Sequence, residues 1–166
     1  MKKILAAAVA MTMAGLSQGA TVTGNLDVSA TVATACVLTN FTNSLTFTTT
    51  FNPTGPAVTA TGDIGVTCNN GLNYTIALGN GGNFLAGVRR MNDGGSGFLE
   101  YTISRPDNAV NATNTGTPWI GANVVSRTGN GSNQPATAYG QITAGGNNAS
   151  ATPGSYGDTV LITVTF

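Results

Sequence analysis

The sequence contains no histidine, and only 7% of its 166 residues are charged. Without histidine, neither a Ser–His nor a Cys–His pair can activate a nucleophile. The acids are scattered, and Asp93, Asp107 and Asp158 each stand beside Gly or Pro, where aspartate commonly forms a turn. We therefore expect a protein that is not an enzyme and that needs neither a cofactor nor a metal ion.

The N-terminus has the pattern of a secretory signal peptide. Two lysines precede the apolar run of residues 4–16, and the small residues Gly19 and Ala20 that follow both suit cleavage. The apolar run is short for a membrane span. We expect residues 1–20 to be removed when the chain is exported through the periplasm.

Positive charge is scarce in the chain that remains. Four arginines stand against six acids, which gives a net charge of −2. Nucleic acids and anionic membrane surfaces select clustered basic charge, so neither is an expected partner. The surface must consist largely of Thr, Ser, Asn and Gly. Because it carries few charges, two copies of such a surface repel each other only weakly. This suits a protein that packs against copies of itself.

The chain has two cysteines, Cys36 and Cys68. An even number of cysteines in a small exported domain predicts a disulfide. The pair lacks the CxxC spacing of redox and zinc sites, and there is no histidine to complete a metal site. Both cysteines fall on the apolar side of an alternating segment, so the disulfide is expected to lie in the core between neighbouring strands.

Helix signals are absent after residue 20, whereas strong period-2 alternation predicts strands. Residues 21–32 alternate small or apolar side chains with polar ones. Further strands are predicted, in chain order, by Ile64/Val66/Cys68, Leu72/Tyr74/Ile76/Leu78, Leu99/Tyr101/Ile103, residues 139–142 and Val160/Ile162/Val164/Phe166. Gly- and Asn-rich turns separate them, which is typical of a β-sandwich. Residues 108–135 are predicted to form a polar loop, interrupted by a short piece around residues 119–125.

Two of the predicted strands lack partners in a closed sandwich. The segment at residues 20–32 has no preceding strand with which to form a hairpin. The last strand ends at Phe166 with nothing beside it, which leaves an open edge and an uncovered groove. An extra strand near the N-terminus and a missing partner for the last strand suggest that copies of the chain complete one another.

Four stretches of the sequence resemble the spore coat protein U domain family, the subunits of archaic chaperone–usher (Csu-type) pili. They are the alternating residues 21–32 followed by Cys36, residues 65–78 (GVTCNNGLNYTIAL), Arg90-Met91 followed by residues 99–103 (LEYTI), and residues 153–166 (PGSYGDTVLITVTF). The last stretch is the most specific, and the likeness covers nearly the whole chain after residue 20.

The resemblance implies an all-β fold, an incomplete immunoglobulin-like β-sandwich that lacks its last strand and is completed by donor-strand exchange. Residues 1–20 would be the signal peptide, 21–32 the donor strand and 33–166 the sandwich domain. The donor side chains would be Val22, Gly24, Leu26, Val28 and Ala30, and the acceptor groove and final strand would present Val160, Ile162, Val164 and Phe166.

The resemblance also implies the partners. A periplasmic chaperone would lend a strand first, and the next identical or related pilus subunit would replace it during secretion through an outer-membrane usher. The resulting pilus at the cell surface would support adhesion and biofilm formation. The alternative is a non-polymeric coat or sugar-binding protein of the same fold. In that protein Trp119 and the tyrosines could stack on a sugar, although a lone aromatic residue in a sandwich more often lies in the core.

Overall fold

The computed structural model describes residues 21–39, 44–106 and 116–166, so the predicted signal peptide lies outside the described residues. The described part contains eight β-strands and one short 3₁₀ helix. They are β1 (Cys36–Thr39), β2 (Val58–Cys68), β3 (Asn73–Leu78), β4 (Arg89–Asn92), β5 (Phe98–Ser104), β6 (Val125–Thr128), β7 (Asn133–Ile142), the 3₁₀ helix (Gly146–Ser150) and β8 (Ile162–Thr165). No helix in these ranges has the length and apolar character needed to cross a membrane.

The chain divides into two units, residues 1–32 and residues 33–166. In the first unit, residues 21–32 are described, and this stretch contains no strand or helix. Its side chains are exposed, including Val22 at 97% and Leu26 at 87%. The alternating segment therefore has no strand ladder in the isolated chain.

The second unit consists of two antiparallel β-sheets. One sheet has five strands in the order β1-β2-β7-β5-β4, and the other has three in the order β6-β3-β8. The longest ladder joins β2 to β7 from Val58↔Ile142 to Thr67↔Asn133. The predicted all-β, two-sheet fold is confirmed.

The core forms where the alternating apolar faces of the two sheets meet. In β3, every second side chain is buried, because successive residues of a strand point to opposite faces. Trp119 is also fully buried, and its indole N–H donates to the carbonyl of Ile76 at 3.1 Å. The buried residues of the core cluster are Ile64, Val66, Cys68, Tyr74, Ile76, Leu78, Leu99, Tyr101, Ile103, Trp119, Val125, Ala136, Ala138 and Ile142.

The predicted disulfide is confirmed. Cys36 and Cys68 are bonded and lie directly opposite each other in the ladder between β1 and β2. Cys68 is buried and Cys36 is half-buried against the core. The disulfide therefore joins neighbouring strands, as the alternation predicted.

The prediction of a polar loop over residues 108–135 is wrong at its end. Strand β6 begins at Val125 and β7 at Asn133. Pro135 lies inside β7, where a proline normally argues against a central strand. It is tolerated because β5 pairs with β7 only between residues 139 and 141, so one edge of β7 is open at Pro135. Residues 107–115 of the predicted loop lie outside the described part.

Loss of the disulfide should destabilise the domain. The bond closes a loop between residues that are 32 positions apart, so breaking it should lower the free energy of unfolding by about 3–4 kcal/mol. Urea unfolding of the oxidised and reduced chains measures this difference. A chain in which both cysteines are replaced by Ala is the control and should not respond to reductant. Equal urea midpoints for the oxidised and reduced wild-type chains would contradict the expectation.

Candidate functional site: an open groove beside the last strand

The two sheets differ in width, and this difference leaves part of one sheet face without a matching strand. Five strands face three, and neighbouring strands are about 4.8 Å apart, so roughly 10 Å of the wider sheet has no strand opposite it. The segment at residues 44–53 covers part of this face with the half-buried side chains of Leu45, Phe47 and Phe51. Gly140 of β7 permits this packing because a Cβ atom there would collide with the Leu45 side chain.

The rest of the uncovered face, together with Leu78 of the narrower sheet, is the floor of a groove of about 1020 Å³. Residues 44–53 form one wall, and residues from 151 to Ile162 form the other. The floor is apolar and comes from both sheets, with side chains from Ile64, Leu78, Leu99, Ile103, Ala138 and Ile142. All these residues belong to the second unit. The groove therefore suits an elongated occupant with apolar side chains on one face.

The wall formed by residues 151–162 leads into a strand with a free edge. Strand β8 pairs with β3 from Thr75↔Thr165 to Leu78↔Ile162. No other described strand pairs with the opposite edge of β8. Backbone N–H and C=O groups on that edge can therefore hydrogen-bond to an added strand.

The chain crosses from one sheet to the other just before β8. Gly157 forms two backbone hydrogen bonds with Asn92 of β4, with N···O distances of 2.9 and 3.0 Å. Four residues later, the carbonyl of Leu161 accepts a bond from the Gly79 N–H at 2.8 Å. Residues 157–161 therefore leave the five-stranded sheet and deliver the chain to the three-stranded sheet along the groove.

A cluster of polar side chains lies at this crossing. The carboxylate of Asp158 accepts hydrogen bonds from the Tyr101 hydroxyl at 2.6 Å, the Gly82 N–H at 2.7 Å and the Thr159 N–H at 2.8 Å. Asp158 and Tyr101 both line the groove. The cluster thus joins the groove wall to β5 and to the loop that follows β3.

Arg89 of β4 is the buried cation beside this cluster, and only 3% of its surface is exposed. Its guanidinium donates to the carbonyls of Gly79 at 2.6 Å and Trp119 at 2.7 Å. Burial lowers the pKa of Arg89, although Tyr101 and Asp158 both oppose this shift. The pKa of Tyr101 is raised well above its usual range, first by burial and then by the hydrogen bond to Asp158.

The residues predicted for the acceptor groove are divided between two places. Val160 and Ile162 line the groove, and Val164 packs against the core. Phe166 is 55% exposed and lies instead in a shallow hollow of about 520 Å³ beside β3 and β6. Of the residues predicted for the acceptor groove, Val160 and Ile162 therefore line it, whereas Phe166 does not. The predicted donor residues are exposed in the first unit: Val22, Gly24, Leu26, Val28 and Ala30.

Sequence reasoning missed the opposite wall of the groove. Leu45, Phe47 and Phe51 fall at odd-numbered positions in a Thr-rich stretch. That period-2 pattern could have identified them, but without regular strand pairing the stretch did not stand out as a structural element. Trp119, considered as a sugar-stacking residue, is buried in the core and presents no face to a ligand. In the described ranges, no group of three or more His, Cys, Asp or Glu is placed to hold a metal ion.

The fold and the groove define an antiparallel β-sandwich with an open site beside its last strand. The Spore Coat Protein U domain family matches residues 22–163, and the chain belongs to this family. The chain is also similar to a solved structure described as the CsuC–CsuE chaperone–tip adhesion subunit pre-assembly complex from archaic chaperone-usher Csu pili of Acinetobacter baumannii.

That likeness has a TM-score of 0.51 at 20% sequence identity, and it covers 82% of this chain and 41% of the other. At this identity it shows a shared fold. The present chain thus spans about two fifths of the length of the chain it matches. No curated protein sequence matches the chain.

The raised pKa of Tyr101 predicts a loss of stability in alkaline solution. In the unfolded chain the phenol ionises near its ordinary pKa of 10.0, whereas in the folded chain it stays neutral to higher pH. Its contribution to stability is complete below pH 10 and is lost as the pH rises toward the folded pKa. The free energy of unfolding, measured by urea unfolding at each pH, should therefore fall above pH 10.

The variant Tyr101→Phe isolates this contribution. It should be less stable at neutral pH by about 1.5–3 kcal/mol, because a hydrogen bond to the charged Asp158 carboxylate is lost. Its stability should also decline less above pH 10 than that of the wild type. An equal decline in both chains would show that Tyr101 is not the group responsible.

Proposed function

We propose that this protein is a structural pilus subunit of the chaperone–usher type, and that its groove receives residues 21–32 of a neighbouring copy. One observation carries the proposal: an apolar groove runs beside the free edge of β8, and the same chain carries an exposed amphipathic segment that forms no ladder in isolation. The groove lacks a strand and the segment lacks a sheet, so two copies can supply what each one lacks.

The segment has the dimensions and chemistry that the groove requires. Twelve extended residues span about 40 Å, enough to run the length of a sheet strand. Val22, Leu26 and Val28 share one face of such a strand, and burying each of them would contribute about 1.5–3 kcal/mol. Gly24 lies on the same face and would allow close approach to the groove floor.

Backbone pairing adds to the burial of these side chains. About ten new hydrogen bonds along β8 and the opposite wall would each contribute about 1 kcal/mol net. Side-chain and backbone ordering offset part of this sum. The remainder still supports a joint that dissociates extremely slowly, so that a fibre could persist without covalent bonds between subunits.

The open groove also explains why a chaperone is needed. Before assembly, an apolar groove with a free strand edge invites uncontrolled pairing between chains. A periplasmic chaperone that lends a strand would cover the groove until an outer-membrane usher brings in the next subunit. The similar solved structure is itself a complex of a chaperone with a pilus subunit, which supports this partner. Residues 1–20 would direct export of the chain, and the assembled subunit would lie in a pilus at the cell surface.

The proposal predicts that assembly depends on the apolar face of residues 21–32. Leu26→Asp places a carboxylate among the side chains that would be buried in the groove, at a cost far above that of a surface change. The full chain with this substitution should lose the ladder of multimers seen on gels of unboiled samples. Expression with the cognate chaperone and usher, followed by electron microscopy of the cell surface, gives a second measurement.

The matched control is Asn25→Asp, which introduces the same charge one residue away on the polar face. This variant should assemble as the wild type does. Multimers formed equally well by the Leu26→Asp chain would overturn the proposal. That result would favour a coat protein that uses the same fold without exchanging strands.

A further inference from the structure

We infer that Asp158 is the positioning residue of the groove: its carboxylate holds the segment at residues 157–161 in place, and thereby presents the edge of β8 to an incoming strand. The inference rests on the proposed function, because it concerns the site where the neighbouring copy would bind. It extends that proposal to a specific side chain outside the apolar groove floor and the donor segment.

The first support is the way in which the crossing segment is held. Backbone hydrogen bonds fix its two ends, at Gly157 with β4 and at Leu161 with Gly79. Between those ends, the hydrogen bonds found in the described part of the chain are those of the Asp158 carboxylate. Its partners belong to β5, to the loop after β3 and to the crossing segment itself. One side chain therefore anchors the segment to two other elements.

The second support is that the loop after β3 is built around the carboxylate. Gly81 has φ of +85°, a conformation that favours glycine. A Cβ atom at Gly81 would also collide with the Asp158 carboxylate. Only glycine meets both conditions at this position. The loop's conformation and the position of the carboxylate therefore depend on each other.

The third support is the arrangement of charge on either side of that loop. Arg89 donates to the carbonyls at Leu78 and Gly79, whereas Asp158 accepts from the N–H of Gly82. The loop is thus held by a cation at its start and by an anion at its end. Tyr101 and Asp158 also raise the pKa of Arg89 against the effect of burial, so both favour the charged form of the buried guanidinium.

This arrangement has a direct consequence for strand uptake. Strand β8 has four residues and pairs with β3 along one edge. Without the Asp158 contacts, the segment leading into β8 would have to become ordered each time a donor strand binds. An ordering cost of that kind appears as weaker binding. Since hydrogen bonds to a charged group are stronger than neutral ones, the expected loss of affinity is tenfold or more.

The test compares Asp158→Asn with Asp63→Asn. Each carboxylate accepts one hydroxyl hydrogen bond of the same length, Asp63 from Thr137 at 2.6 Å and Asp158 from Tyr101 at 2.6 Å. Asp63, however, is exposed on β2 and does not line the groove. Both substitutions are made in the full chain carrying Leu26→Asp, so that the chain's own segments do not compete for the groove. The probe is a fluorescent peptide of residues 21–32, and its dissociation constant is measured by anisotropy.

Amide hydrogen exchange on the same proteins separates positioning from general stability. Asp158→Asn should weaken peptide binding about tenfold or more and speed exchange at the Gly82 and Thr159 amides, while the ladder between β2 and β7 keeps its protection. Asp63→Asn should change binding by less than about twofold, since a lost surface contact costs little. Binding by Asp158→Asn that matches Asp63→Asn would overturn the inference. Loss of protection across the whole domain would do so as well, because it would indicate a general structural role.

The design also separates failure of the inference from failure of the proposed function. If the peptide does not bind the chain in which Asp158 is intact, the proposed function fails and the inference fails with it. If the peptide binds tightly and its affinity does not depend on Asp158, the inference alone fails.

Discussion

The mismatch between a five-stranded and a three-stranded sheet is the constraint on which the rest of this structure depends. Two sheets of equal width would bury each other's inner faces, whereas here part of the wider face has no strand opposite it. The segment at residues 44–53 covers some of that face with three half-buried apolar side chains, and the remainder is the floor of the groove. The groove is therefore a consequence of the strand count and not of a local distortion, and a single added strand is the element that would fill it.

The same constraint gives a role to the polar cluster at the crossing segment beside the groove. The outer edge of β8 is not fixed by pairing with another described strand of its own chain. Side chains fix the end of the wall instead, with Asp158 bound to Tyr101 and with Arg89 bound to backbone carbonyls of the opposite sheet. A buried cation is costly unless its hydrogen bonds are satisfied, and the Arg89 guanidinium contacts three carbonyls. The polar cluster therefore fixes the wall without closing the edge.

Much of the sandwich could be predicted from the sequence, because period-2 alternation directly reports a strand with one buried face. That signal correctly identified β3, β5, the disulfide and the last part of β2. It failed for β4, because the sequence Arg-Arg-Met-Asn has no apolar alternation and its buried residue is the charged Arg89. It also failed at the C-terminal residue: Phe166 continues the apolar parity of the strand but is 55% exposed, in the hollow beside β3 and β6. Alternation identifies a face, whereas only the arrangement of the sheets decides what covers that face.

The disulfide ties an edge strand to its neighbour. It lies on β1, at the edge of the five-stranded sheet opposite to β4. Strand β1 has four residues and comes directly after residues 33–35, which connect it to the segment at residues 21–32.

In the proposed fibre, tension on that segment would reach the domain through β1, whose short ladder is weak by itself. Because Cys36 is the first residue of β1 and is bonded to the last residue of β2, the load passes covalently to the strand with the longest ladder in the domain. In such a fibre, the disulfide would thus reinforce the point at which a neighbouring subunit pulls.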